Sequence, residues 1–308
     1  MRLGDETLEW FAARLAGEGV KLKSGPFVIQ LKTSLPELAA PLYLLYRDSP
    51  LPGEGFTDYH VEVEQARKGL PWSERQCRFL RDGHSPFPPF SREVALAMVE
   101  WGLNWCFYSQ ADQYLNIHAA VVARDDLGLI LPGRPGVGKS TLCAALAHRG
   151  WRLLSDELAL IRPGDGKLLP TVRPLSLKNQ SIELIRAFAP EAVLAPEIEN
   201  TLKGRIALVR PPRDSVLRAD VSAKPAWIVF PRYVAAGPDG LTAVSKTRGF
   251  FRLADNSFNY RILGETAFRE TCKLVETCPC YDLTYSSLEE AVAILDQLPR
   301  PQAAAGAP

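Results

Sequence analysis

An α/β fold preceded by a small α+β region is predicted by three features of this 308-residue chain. The first is a glycine-rich loop, Gly133-Arg134-Pro135-Gly136-Val137-Gly138-Lys139-Ser140, set between a strand-like run at Leu127 to Leu131 and a helix-like run at Thr141 to His148, with Gly150 as a stop. The second is a hairpin pattern, "YLNIHAAVVARDDLGLILPG", that leads into the loop. The third is "GWRLLSDELALI", an apolar strand pattern holding the adjacent acids Asp156 and Glu157, 17 and 18 positions after Lys139.

Residues 1–90 read as an accessory α+β domain. The opening "MRLGDETLEWFAARLAGEG" is helical in period, Phe27 to Leu31 reads as a strand, Ser34 to Tyr46 as a helix, and Thr57 to Glu64 alternates as a half-buried strand does. His60 and His84 receive no functional assignment. Three prolines within "DGHSPFPPFSRE", Asp82 to Glu93, interrupt regular structure and mark a linker. A serine-capped helix, "SREVALAMVEWGLNWCFYSQ", then opens a second domain, residues 91–300, and residues 301–308 read as a disordered tail.

The hairpin turns at Asp125 to Gly128. A turn centred near residues 126 and 127 makes facing positions sum to about 251–253, which sets His118 opposite Gly133 to Pro135. A plain sheet histidine and a site histidine have equal claim there. The loop itself fits GxxxxGKS, in which backbone N–H groups cradle phosphates, the lysine reaches the β/γ oxygens and the hydroxyl ligates magnesium. The dipole of the following helix adds to that cradle.

Neighbouring strand residues point to opposite faces unless a bulge intervenes, so at least one of Asp156 and Glu157 is directed inward. A buried carboxylate without a partner costs several kcal/mol, and a cation or magnesium is therefore expected close by; surface acids on an edge strand are the alternative. Further cations come from "TVRPLSLKNQS", with Arg173 and Lys178 ahead of a helix that Asn179 would cap, and from "TLKGRIALVRPPRDS", with Lys203, Arg205 and Arg210. Lys178 and Arg210 are the candidates among them, ordinary exposed bases being the alternative. "ADNSFNYRILGE", Ala254 to Glu265, either lines an acceptor site or forms a capped loop.

Composition narrows the partners. Lys+Arg number 36 against Asp+Glu 35, a net charge of +1, so no basic surface of the nucleic-acid-binding kind is expected. The N-terminus lacks an apolar signal region and no run approaches the ~18 apolar residues of a membrane span, which points to a cytoplasmic protein with no membrane partner. Six scattered cysteines are expected to be reduced, and Cys278-Pro279-Cys280 lacks the nearby ligands of a zinc knuckle.

The segments "NIHAAV", "PGRPGVGKSTL" and "GWRLLSDE", followed more weakly by "VRPLSLKNQSIELI", "TLKGRIALVRPP" and "FNYRILGETAF", resemble the HPr kinase/phosphorylase family, and more closely its branch called HprK-related kinase A. The resemblance covers roughly Ser91 to Leu298. It implies a P-loop kinase domain with a mixed sheet like that of phosphoenolpyruvate carboxykinase, ATP and Mg2+ as cofactors, a protein or peptide acceptor with a Ser/Thr hydroxyl, and, by analogy, a homo-oligomer. His118 falls on the active-site histidine, Lys139 on the phosphate lysine, Ser140 on the magnesium hydroxyl, and Asp156 with Glu157 on the paired acids. The family's second acid is normally an aspartate, one methylene shorter than Glu157. Its later glycine-rich segment with a further magnesium-binding glutamate is absent as a motif, Glu183 being a loose positional substitute.

The expected catalytic set is thus His118, Lys139, Asp156 and Glu157. Gly133, Arg134, Pro135, Gly136, Val137, Gly138, Lys139, Ser140 and Thr141, with Lys178 and Arg210, form the nucleotide set, and Ser140 and Asp156 the metal set. Which of Asp156 and Glu157 is the base stays open. The same cradle serves an ATP-dependent phosphotransferase, an ATPase switch without an acceptor, or a small-molecule kinase.

Overall fold

The computed structural model describes residues 1–66 and 76–300; the expected disordered tail at 301–308 lies outside the described residues. The chain forms two compact units. One joins Met1–Gln110 with Thr171–Asp220, and the other joins Ala111–Pro170 with the chain from Val221 onward.

In the first unit, α1 (Leu8–Ala16) begins at Thr7, whose hydroxyl accepts from Trp10 N–H at 3.1 Å. Strands β1 (Val20–Ser24) and β2 (Phe27–Thr33) follow, then α2 (Ala39–Tyr46), β3 (Tyr59–Gln65), β4 (Gln76–Arg81) and the short β5 (Phe90–Ser91). They form one sheet in sequence order, with β2 and β3 parallel and the other pairs antiparallel. Every second residue of β2 is buried, the signature of a sheet with one face on a core.

Regular structure resumes inside the proline-rich stretch expected to be irregular, because Phe90 and Ser91 pair with Cys77 and Gln76. Helix α3 (Ala95–Gln110) starts three residues later than the serine cap at Ser91 suggested. Ser91 instead caps a 3-10 turn at Arg92–Val94, accepting from Glu93 N–H at 3.4 Å.

The second unit opens with β6 (Leu115–Arg124), β7 (Leu127–Pro132), α4 (Lys139–Ala147), β8 (Arg152–Ser155), β9 (Leu158–Ile161) and β10 (Leu168–Leu169). The chain then returns to the first unit for β11 (Leu175–Lys178), α5 (Gln180–Phe188), β12 (Ile198–Thr201), β13 (Gly204–Val209) and α6 (Arg213–Leu217), whose strands make a small antiparallel sheet ordered β11-β13-β12. Asn179 precedes α5 but does not cap it: its Oδ1 accepts from Arg205 N–H at 3.1 Å, on the neighbouring strand. Arg173 is no solvent-facing base either. It is 7% exposed and its Nη1 donates to the buried Glu100 at 3.1 Å.

The last third, back in the second unit, supplies β14 (Lys224–Tyr233), β15 (Gly240–Val244), α7 (Lys246–Asp255), α8 (Tyr260–Leu263), α9 (Glu265–Thr277), β16 (Cys280–Tyr285) and α10 (Leu288–Asp296). The resulting eight-stranded sheet runs β10-β9-β6-β7-β14-β16-β15, with β8 also on β6. Its centre, β7-β14-β16, is parallel and its flanks are antiparallel, so the protein is mixed α/β with a mixed sheet. The central strands are buried almost throughout, as their unbroken apolar runs require of strands covered on both faces. Among the described residues no helix is long and apolar enough to cross a membrane.

Candidate functional site

The glycine-rich loop occupies the gap between the end of β7 at Pro132 and the start of α4 at Lys139. Gly136 and Gly138 have φ of +90° and +99°, a region L side chains rarely adopt, which explains why these two positions are glycine. Two tyrosines from distant strands tie the loop down. Tyr233 N–H donates to Val137 O at 3.1 Å, and the Tyr285 hydroxyl donates to Gly138 O at 3.0 Å. Burial, with a smaller push from Tyr233, raises the Tyr285 phenol well above its usual range, so it stays a donor. A Cβ on Gly138 would overlap that hydroxyl.

Gly138 also sits at the N-cap of α4 and no side chain caps it, which leaves the end of the helix to a ligand's acceptors. Lys139 is 6% exposed, and its ammonium donates to Gly133 O at 2.6 Å and Arg134 O at 3.3 Å, folding over the loop's own carbonyls. Arg134, Pro135 and Gly136 are exposed, whereas Ser140 and Thr141 on the first helical turn are half-buried.

The hairpin pairs Ala119 with Pro132, a sum of 251, and holds that register down to Arg124 with Leu127. The ladder stops one step short of His118, which pairs instead with Leu158 of β9 on the other side of β6. Asp156 and Glu157 differ from expectation in their local structure. They do not lie within a strand but in the two-residue break between β8 and β9. Ser155 makes that break: its hydroxyl accepts from Glu157 N–H at 3.4 Å and Leu158 N–H at 3.0 Å, a serine turn that competes with the ladder. The register of β8 on β6 shifts beside it, between Val121 and Val122.

The break brings Glu157 to the histidine. Glu157 Oε2 lies 3.1 Å from His118 Nε2, and Glu157 O accepts from Ala119 N–H at 3.2 Å. Asp156 is 7% exposed. Both acids lie close enough to α4 to act on Cys143, four residues after Lys139. Burial pushes the Cys143 thiol well above its usual range, and the charges of Asp156 and Glu157 push it further. Its sulfur lies 3.8 Å from Ser155 O. Lys139, His118, Asp156 and Glu157 thus belong to one compact unit, with the acids set beside the helix that Lys139 begins.

The other candidates lie in the first unit. Lys178 ends β11, with its N–H donating to Ser181 Oγ at 2.8 Å; Arg210 follows β13, with Nε 3.9 Å from Asp48. Glu183 is paired with Arg186 and Arg205.

Residues 256–259, within the polar run at Ala254 to Glu265, lie along β6: His118 N–H donates to Asn256 O at 2.8 Å, Phe258 N–H donates to Asn116 O at 2.9 Å, and buried Asn259 accepts from Asn116 N–H at 3.0 Å. The Phe258 ring lies 5.5 Å from the His118 ring. Tyr233 and Tyr285 carried no signal in the sequence, because each acts on a residue far away in the chain; Asn259 stood out only as part of its polar run, and its partner Asn116 was not legible for the same reason.

The donor chemistry fits a magnesium nucleotide. A helix N-terminus that no side chain caps and a buried lysine over the loop suit polyphosphate, while the Ser140 hydroxyl and the Asp156 carboxylate are the hard oxygen donors that Mg2+ takes. Among the described residues no cluster of three or more His, Cys, Asp or Glu is placed to hold a metal ion by itself.

No protein-family model matches the chain. A curated protein, HPr kinase/phosphorylase from Clostridium beijerinckii, is 27% identical over 129 residues, which span 37% of this chain and 42% of that protein. A solved structure, the Hpr(Ser) kinase/phosphatase from Coxiella burnetii, aligns with 59% of this chain and 93% of its own at 16% identity and a TM-score of 0.28, too low to compare the folds. The similarity to the clostridial protein supports an HPr kinase-like family for this chain.

Proposed function

We propose that the chain is an ATP-dependent phosphotransferase that moves the γ-phosphate of ATP to a Ser/Thr hydroxyl of a protein or peptide. The observation that carries this is the Glu157–His118 pair at 3.1 Å, held in a break that sets the acids beside the helix begun by Lys139. An ATPase needs the cradle; a carboxylate braced by an imidazole beside it suits removal of a proton from an attacking hydroxyl.

Lys139 and the loop N–H groups hold the β- and γ-phosphates. Ser140 and Asp156 hold Mg2+, which when bound neutralises charge on the phosphate oxygens. Glu157 accepts the hydroxyl proton as the new O–P bond forms and the bond from the γ-phosphorus to the bridging oxygen breaks, releasing ADP. His118 orients Glu157 and takes up part of the charge change.

Incubation with γ-labelled ATP tests the assignment, first with HPr as a defined acceptor, because the clostridial relative's name includes it, and then with a cell lysate. Label on a protein hydroxyl supports the transferase. Free phosphate alone would indicate a switch-type ATPase, and label on a small molecule a metabolite kinase; either result would overturn the proposal.

A further inference from the structure

The face formed by α7, α8 and α9 is apolar where a surface is normally polar. Phe251, Phe258, Ile262 and Phe268 are 61%, 43%, 70% and 52% exposed. Phe251 and Phe268 share a neighbour: the half-buried Phe250 ring lies 5.6 Å from Phe251 and 5.5 Å from Phe268, joining α7 to α9, and 6.4 Å from Tyr260 at the start of α8. Phe258, in the link between α7 and α8, is the member nearest the candidate site, with its ring 5.5 Å from the His118 ring. Large exposed apolar patches of this kind mark interaction surfaces.

Charge indicates what would cover it. From Lys246 to Thr277, the span of α7 to α9, the chain carries six cations, Lys246, Arg248, Arg252, Arg261, Arg269 and Lys273, against four acids, Asp255, Glu265, Glu270 and Glu276, with Lys273 tied to Glu270, although the whole chain is balanced at 36 to 35. Arg252 is tied to Asp282 and Arg269 to Glu265, whereas Arg248 and Arg261 have no ion-pair partner among the described residues. A basic, aromatic surface selects an acidic counterpart with apolar side chains at its centre. Resting on the kinase function above, we propose that this face is where the phosphoryl acceptor docks, and that the acceptor is a protein presenting carboxylates around an apolar knob beside its reactive hydroxyl. Contact at Phe258 would bring that hydroxyl toward the His118–Glu157 pair.

The test uses the full chain and two fluorescein-labelled peptides of equal length. Each has one serine between leucines, flanked by glutamates in one and by lysines in the other, with binding read by fluorescence anisotropy. The acidic peptide should bind at least about tenfold more tightly and lose affinity as salt rises. Phe251→Ser with Phe268→Ser should weaken it by about tenfold, and Arg248→Glu with Arg261→Glu should abolish the preference. These are surface positions, so circular dichroism and binding of a fluorescent ATP analogue should not change. Equal affinity for the two peptides, or affinity indifferent to these substitutions, would overturn the proposal. So would a wild-type oligomer that Phe251→Ser dissociates, because the face would then belong to a second copy of the chain. Failure of the kinase function reads out separately, as a wild-type chain that binds the acidic peptide but not the nucleotide analogue.

Discussion

At Glu157 one methylene decides reach. The side chain leaves a strand break rather than a strand, and its Oε2 still arrives 3.1 Å from His118 Nε2. Glutamine keeps the length and an acceptor oxygen but cannot take a proton, so Glu157→Gln separates proton removal from positioning. Phosphoryl transfer to the acceptor is expected to fall by roughly 10²–10⁴, the usual range for loss of a general base, with nucleotide affinity retained. Transfer rates equal to wild type in a single-turnover assay would remove Glu157 from the role and leave Asp156 as the candidate base.

At the scale of elements, what was legible in the sequence was local. The loop glycines are required by their own backbone angles, and the hairpin register follows from a tight turn at Asp125 and Asp126, both with positive φ of 50° and 62°. The strand break at Asp156 and Glu157 was not legible, because a serine turn inside an apolar run has the same composition as a strand. Nor was the fate of Arg173, which looks like a loop base until Glu100, 73 positions away, is brought against it. That pair is 7% and 3% exposed, and the Tyr46 hydroxyl donates to the other Glu100 oxygen at 2.5 Å. Burial holds the Glu100 carboxyl above its ordinary value, against the smaller lowering pulls of Arg173 and the Tyr46 hydrogen bond. Removing only the cation leaves a buried carboxylate unbalanced. Arg173→Met should therefore lower stability by about 3–5 kcal/mol in urea unfolding, and adding Glu100→Leu should recover roughly half of it. A double variant no more stable than the single would mean that packing around the arginine, including its place 4.8 Å over the Phe107 ring, outweighs the charge.

For the whole molecule, the consequence is that possession of the motifs does not amount to possession of the site. Residues 91–170 contain the hairpin, the loop, α4 and both acids, yet the loop's supports come from beyond Val221. Strand β14 pairs with β7 through Lys224 to Ile228, Tyr233 N–H holds Val137, and the Tyr285 hydroxyl holds Gly138. Residues 256–259 similarly complete the backbone pairing at Asn116 and His118. Without them the parallel core of the sheet has only one of its three strands, β7, with one face of its ladder unpaired and its apolar side chains uncovered, a state that does not repay the entropy of ordering. A fragment of residues 91–170 is therefore expected to give a proton–nitrogen correlation spectrum with collapsed amide dispersion, whereas the full chain gives a dispersed one. A well-dispersed fragment spectrum would show that β6, β7 and α4 assemble unaided, and the two tyrosines would then serve to adjust a loop already formed rather than to create it.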